Sequence, residues 1–410
     1  MDTYKQVYEQ LQQIKAVEEA ITFLANDDTS TLEEQIVLAE IPAPPFQEEK
    51  RTDYIYEQLE QLGLVDVQKD TEGNVFGTYE GVEDGPTLFV SAHADSVFGE
   101  EVDTTVTHKD GTYYGPGITD DARGLAAMLS IVRAFTKYKL SIKGKIIFGA
   151  TVGEEGVGDL RGVKAFFDHH TDVDGFISID AVSPTEIIYL GTGSYRYEVT
   201  ISGPGGHSFG AFGTPSALHA AAKVAAKLTD YDVTDVPKTT FNIGSIQGGT
   251  SPTAIAEFAR MTIDLRSNGN LQLQAIDDYL HQALATAVEE ESNRAPYGKL
   301  TYTVTKIGDR PVGTQSSDSP IVRVAEMATK SLNLTPKLAG PASTDANHPI
   351  HLGIPALTLG AGGEAGAAHT LNEWYRPTNS YLGPQRVLYT ILGLVGTNET
   401  ESMLSRRLAK

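Results

Sequence analysis

The sequence has 410 residues, too many for one ordinary hydrophobic core, so two domains are expected. Its 54 acidic against 32 basic residues leave a net charge of −22, which repels phosphate backbones and argues against nucleic-acid partners. With no cysteine, disulfides, thiolate metal ligands and a cysteine nucleophile are excluded, in keeping with a cytoplasmic location. No apolar run approaches the roughly 20 residues that cross a bilayer, so no membrane association is expected.

Residues 4–25 carry apolar positions at helical spacing without Gly or Pro and predict one helix. A second helix is expected from Thr29 or Ser30 to the Pro-rich loop at 41–45, and a third over 48–62, closed by Gly63. Short strands are expected at 65–68 and 74–79. The apolar run 87–90 then leads as a buried strand into Ser-Ala-His-Ala-Asp-Ser at 91–96. Ligands collect beyond the carboxyl ends of such strands, which places His93 and Asp95 there. Residues i and i+2 of a strand point the same way, so Asp95 can hydrogen-bond the ring nitrogen of His93 that does not ligate a metal.

The glycine turn at 115–117 precedes Asp120 and Asp121, which stand at the start of a helix with an apolar face from Leu125 to Phe135. A buried strand at 145–151 ends in Gly-Glu-Glu-Gly at 153–156, and another at 175–179 ends at Asp180. Adjacent carboxylates at the tip of a core strand repel each other and call for a compensating cation.

From Tyr195 the pattern changes to strand, helix, strand, strand, helix, strand, with boundaries at 195–201, 215–228, 240–246, 254–266, 271–290 and 300–307. That order is ferredoxin-like. It places an inserted domain at 194–309 between two parts of a larger domain, 1–193 and 310–410. Glu289, Glu290 and Glu291 are read as a solvated helix end. Thereafter a helix is expected at 320–332, a polar loop at 342–347, a strand at 354–359 running into a glycine-rich segment before His369, and a helix at 385–395. The glycine spacing is not that of a dinucleotide-binding turn; those glycines suit close approach of backbone to a substrate.

Taken singly, these motifs have plain structural readings: a polar strand end, an N-cap, a surface pair. Together His93, Asp120, Glu155, Asp180 and His369 fall on one rim of one sheet. Two imidazoles and three carboxylates suit two divalent ions, with one carboxylate bridging them. Glu154 is left over as a general base.

These residues resemble the dinuclear zinc peptidases of the M20 clan, which includes carboxypeptidase G, peptidase T, succinyl-diaminopimelate desuccinylase and acetylornithine deacetylase. The motifs that carry the resemblance also include Gly-Gly-His-Ser at 205–208, Asp-Leu-Arg at 264–266 and Ala-His at 368–369. The resemblance implies a mixed-sheet α/β catalytic domain with an inserted lid and dimerisation domain. It implies His93 and Asp180 on one ion, Glu155 and His369 on the other, and Asp120 bridging. The ions would be zinc foremost, with manganese or cobalt as alternatives. It further implies Asp95 orienting His93, Glu154 as base, His207 reaching the active site of a partner in a homodimer, and Arg266 holding a substrate carboxylate. Thr253 stands where family members often carry a substrate-contacting Asn, and Ala122 and Arg123 replace a frequent Lys. The loop 343–347, ending at Asn347, resembles the substrate-binding loop of peptidase-like members. The implied activity is hydrolysis of a peptide bond in a small peptide. Deacylation of an N-acyl amino acid is the alternative, and a non-catalytic peptide-binding module is disfavoured by the presence of Glu154.

Overall fold

The computed structural model describes residues 3–407. The chain forms two compact units: one from the segments up to Gly191 and from Gly313 onward, the other from Thr192–Val312.

The first unit is built on an eight-stranded mixed sheet. Its strands lie in the order Val65–Lys69, Val75–Glu80, Lys143–Thr151, Glu83–His93, Gly175–Ile179, Ala356–Leu359, Glu186–Ile188, Lys337–Leu338. The four central strands, from Lys143–Thr151 to Ala356–Leu359, run parallel. Their apolar residues alternate between two cores, as the two-residue strand period requires. Leu88, Val90, Ile146, Phe148 and Ile177 face one core with the helices Ala122–Tyr138 and Leu382–Val395. Phe89, Ile147 and Phe176 face the other, where Phe166 stacks on Phe89 at 3.8 Å from helix Arg161–His169. Parallel strands carry their carboxyl ends to one edge, so the segments after Thr151, His93, Ile179 and Leu359 share a rim. Gly124 lets the helix after Asp121 approach that rim: a Cβ there would meet the Ile179 carbonyl at 2.2 Å.

The second unit is a four-stranded antiparallel sheet in the order Thr239–Gly248, Phe258–Ser267, Gly193–Ser202, Thr301–Arg310. Helices Ala217–Thr229 and Asn270–Arg294 share its apolar core. This is the ferredoxin-like arrangement expected from the element order.

Several boundaries differ from the sequence reading. The first expected helix is two, Thr3–Leu11 and Lys15–Asn26, because Ile14 is extended and interrupts the turns. The next begins at Asp28, directly after the second. The strand expected over 254–266 is split. Ala254–Ile255 pairs with Gly206–His207 in a two-stranded ladder, and Phe258–Ser267 enters the main sheet. Glu291 is no solvated residue. It is 0% exposed and accepts hydrogen bonds from Lys223, Arg294 and the Ser216 amide. Among the described residues, no helix is long and apolar enough to cross a membrane.

Candidate metal and catalytic centre

Among the described residues, the rim of the parallel strands gathers six carboxylates, Asp95, Asp120, Asp121, Glu154, Glu155 and Asp180, and two imidazoles. His93, 1% exposed at the end of its strand, brings Nε2 within 2.8 Å of Asp120 Oδ1. His369 brings its own Nε2 within 2.8 Å of Asp120 Oδ2 and 2.9 Å of Glu155 Oε1. Asp120 therefore offers one oxygen to each histidine, and Glu155 lies on the His369 side. Ligand atoms of His93, Asp120 and Glu155 all fall within 4.8 Å of one another. Asp180 follows its strand directly, its amide bonded to the Leu359 carbonyl at 3.1 Å.

The electrostatics are those of crowded negative charge. Burial, and then the neighbouring charge of Asp120, push the Asp180 carboxyl up to about 7. Hydrogen bonds to Asp120 and Glu155 push His369 up to about 10. His93 lies well above the usual imidazole range: burial opposes its charge, but hydrogen bonds to Asp120 and Asp95 outweigh that. Asp120 lies below the usual carboxylate range despite its burial, because both histidines hydrogen-bond to it. Protons on the two rings thus do the work of cations between nitrogen and oxygen. Imidazole and carboxylate are the donors that zinc, manganese and cobalt accept, so these residues fit a divalent metal site.

Asp95 touches both His93 and the turn that carries Glu154 and Glu155. Its Oδ1 is 3.5 Å from His93 Nδ1, while its backbone carbonyl is nearer, at 3.1 Å. The carboxylate itself accepts the amides of Glu154 and Glu155 at 2.9 and 2.7 Å. It thereby fixes the turn that presents both glutamates. Glu154 is 5% exposed. Of the two aspartates at the helix start, Asp121 is the cap: its Oδ1 accepts the Gly124 amide at 3.0 Å and its Oδ2 the His93 amide at 3.1 Å.

Of the other residues singled out in the sequence, Asn347 is 1% exposed and accepts the Thr344 amide at 3.1 Å. Neighbouring Asp345 accepts the Thr151 hydroxyl at 2.5 Å, which ties this loop to the end of a central strand. His207, Thr253 and Arg266 belong to the second unit. The short ladder joins the first two: His207 opposes Ala254, and the Ser208 amide donates to the Thr253 carbonyl at 2.9 Å. Arg266 donates to Asp264 at 2.7 Å within its own strand.

Sequence reasoning missed two supporting residues, Arg51 and Glu373. Arg51 is a fully buried cation donating to the carbonyls of Ile41 and Ala94. Burial lowers its pKa to about 10, against the pull of Asp95 and Asp121. The sequence places Asp121 at the helix start beside Asp120, and the capping expected there falls to it. Arg51 and Glu373 carried no local signal, because their partners lie far along the chain.

An α/β sheet with imidazoles and carboxylates converging on the ends of its parallel strands, interrupted by an α+β insertion, presents a ligand set for divalent ions, and the family match places the chain among hydrolases of peptide and amide C–N bonds. The chain belongs to peptidase family M20/M25/M40, whose family model matches residues 89–392. It is 26% identical to the uncharacterized protein YqjE of Bacillus subtilis over 369 residues, 83% of this chain and 92% of that one. It is 28% identical to succinyl-diaminopimelate desuccinylase of Legionella pneumophila over 60% of this chain and 71% of that one. Among solved structures it resembles a tripeptidase from Staphylococcus aureus, with a TM-score of 0.75 and 25% identity over 89% of this chain and 97% of that one.

Proposed function

We propose that this chain is a dinuclear metal-dependent peptidase acting on small peptides. One observation carries the reading: the two oxygens of Asp120 face two different histidines, each at 2.8 Å. A carboxylate so placed is built to bridge two ions. His93 and Asp180 would hold one, Glu155 and His369 the other. Zinc is the foremost candidate, with manganese and cobalt as alternatives. Bound ions supply Lewis acidity there, acidifying water and polarising the scissile carbonyl. Glu154, on the turn fixed by Asp95, takes the proton of the attacking water and returns it to the leaving nitrogen.

His207 is the oxyanion donor in this reading. Its Nδ1 accepts the amides of Phe209 and Gly210, both at 3.2 Å. A neutral ring so capped carries its proton on Nε2, where it can be donated. His207 would serve the partner's site in a homodimer formed through the second unit, with Arg266 holding a substrate carboxylate and Thr253 and Asn347 lining the substrate's path. The cysteine-free composition supports a cytoplasmic location. Deacylation of acyl-amino acids is the second reading, favoured by the desuccinylase relative.

A library of di- and tripeptides beside N-acyl amino acids, assayed with zinc, manganese and cobalt, separates the two. Cleavage confined to the acyl compounds would replace the peptidase reading. Glu154→Gln is expected to keep its metal and lose roughly 10²–10⁴-fold in kcat; near-normal turnover would reassign the base. A mixed dimer of His207→Ala and Glu154→Gln subunits is expected to regain about half the wild-type activity, because one of its two sites then carries neither defect. No recovery on mixing would place His207 in its own chain's site or make the protein a monomer.

A further inference from the structure

Glu373 is a buried carboxylate whose hydrogen-bond partners among the described residues are amides and a hydroxyl rather than a side-chain cation. It is 0% exposed and lies four residues after His369, just before strand Trp374–Arg376. Its Oε2 accepts the Gly117 amide at 3.0 Å. Its Oε1 accepts the Thr119 amide at 2.8 Å, the Asp120 amide at 3.2 Å and, in a short bond, the Thr119 hydroxyl. All four donors belong to the loop that ends in Asp120. The backbone carbonyl of Glu373 also accepts the Gly115 amide at 3.1 Å, and the adjoining strands pair Trp374 with Tyr114 and Tyr375 with Tyr113.

We propose that Glu373 is a positioning residue that clasps the Asp120 loop to the His369 loop and so sets the metal affinity of the centre. The inference rests on the reading of Asp120 as the bridging ligand. Glu373 shares one short segment with His369, so each bond it makes to residues 117–120 fixes the distance between the two ligands. That segment is under tension: Ala367 and His369 are non-glycine residues at φ 57° and 62°. Such backbone persists only where its surroundings over-determine it. A carboxylate suits the task because it is acceptor-only, so both of its oxygens can face N–H and O–H donors, three at Oε1 and one at Oε2. An amide in its place must turn one NH2 toward an amide N–H, either at Gly117 or at Thr119 and Asp120.

The test is stepwise metal binding by the full chain, read by competition with a chromophoric chelator for zinc, together with amide hydrogen exchange over residues 117–120 and 367–370. Glu373→Gln is expected to weaken zinc binding by roughly 10–100-fold, the usual effect of removing a partner that orients a ligand. Exchange in both loops is expected to rise. Thr119→Val removes one donor and leaves the backbone intact. It is expected to shift affinity and exchange in the same direction by less, and it serves if Glu373→Gln fails to fold. Lowered thermal stability with unchanged zinc affinity in both variants would reduce Glu373 to a structural residue and overturn the inference. If the wild-type chain itself binds no zinc, manganese or cobalt, the metal reading falls and the clasp falls with it.

Discussion

Both units of this molecule bury carboxylates, and they balance them differently. In the second unit, Glu291 is matched on the spot: Lys223 lies at 3.1 Å, Arg294 donates to it and His219 lies at 3.3 Å. Burial works against the charge, yet the hydrogen bonds from Arg294 and Lys223 hold its carboxyl well below the usual range. At the rim of the first unit, Asp95, Asp120, Asp121, Glu155 and Asp180 crowd together, facing Arg51 and two imidazoles. There Asp180 is pushed up and the histidines are drawn toward the protonated form. A carboxylate with its cations in place is part of the architecture. A set of carboxylates short of cations is a site for an ion that the chain does not itself supply.

The largest effect should come from removing the residue on which the rim converges. Asp120→Ala is expected to empty the centre of metal and lower turnover by on the order of 10³-fold, the equivalent of several kcal/mol of charge stabilisation. Metal content by elemental analysis and kcat on the best substrate from the library check this. Full metal occupancy in the variant would show that the rim does not depend on a bridging carboxylate. Glu291→Gln probes the balanced region. It is expected to cost about 2 kcal/mol of stability, read from the denaturation midpoint, with metal content unchanged. A loss of metal on that substitution would break the distinction between the two regions.

The smallest effect, and the one that sharpens the comparison most, is on pH. In metal-free protein Asp180 and His369 both bind protons more tightly folded than unfolded. Stability should therefore fall as pH rises, from about 4 to about 7 through Asp180 and from about 6.5 to about 10 through His369. A divalent ion replaces those protons, so the stabilisation it confers should grow with pH across the same span. Melting temperatures with and without added manganese, taken from weakly acidic to weakly alkaline buffer, read this directly. A metal-induced rise that shrinks with pH would contradict it.

Much of this was open to the eye in the linear chain. Apolar runs of β-branched and aromatic residues that stop at a charged motif mark strand ends, and His93, Glu154, Glu155 and Asp180 each sit directly after such a run. The rim could be read because parallel strands bring their carboxyl ends together whatever the sequence between them. What tertiary structure decided was which groups meet across hundreds of residues. Asp120 faces His369 at a separation of 249 residues, and Glu373 holds the Asp120 loop from 254 residues beyond Thr119. Whether Glu291 was solvated or buried depended on helix Ala217–Thr229 packing against its own helix. Asp121 rather than Asp120 became the cap because one carboxylate could reach both the Gly124 and His93 amides. Periodicity is a local property, set by the backbone geometry of each element. The pairing of buried polar groups is not, because each is satisfied by whatever donor the packed fold places within hydrogen-bond reach.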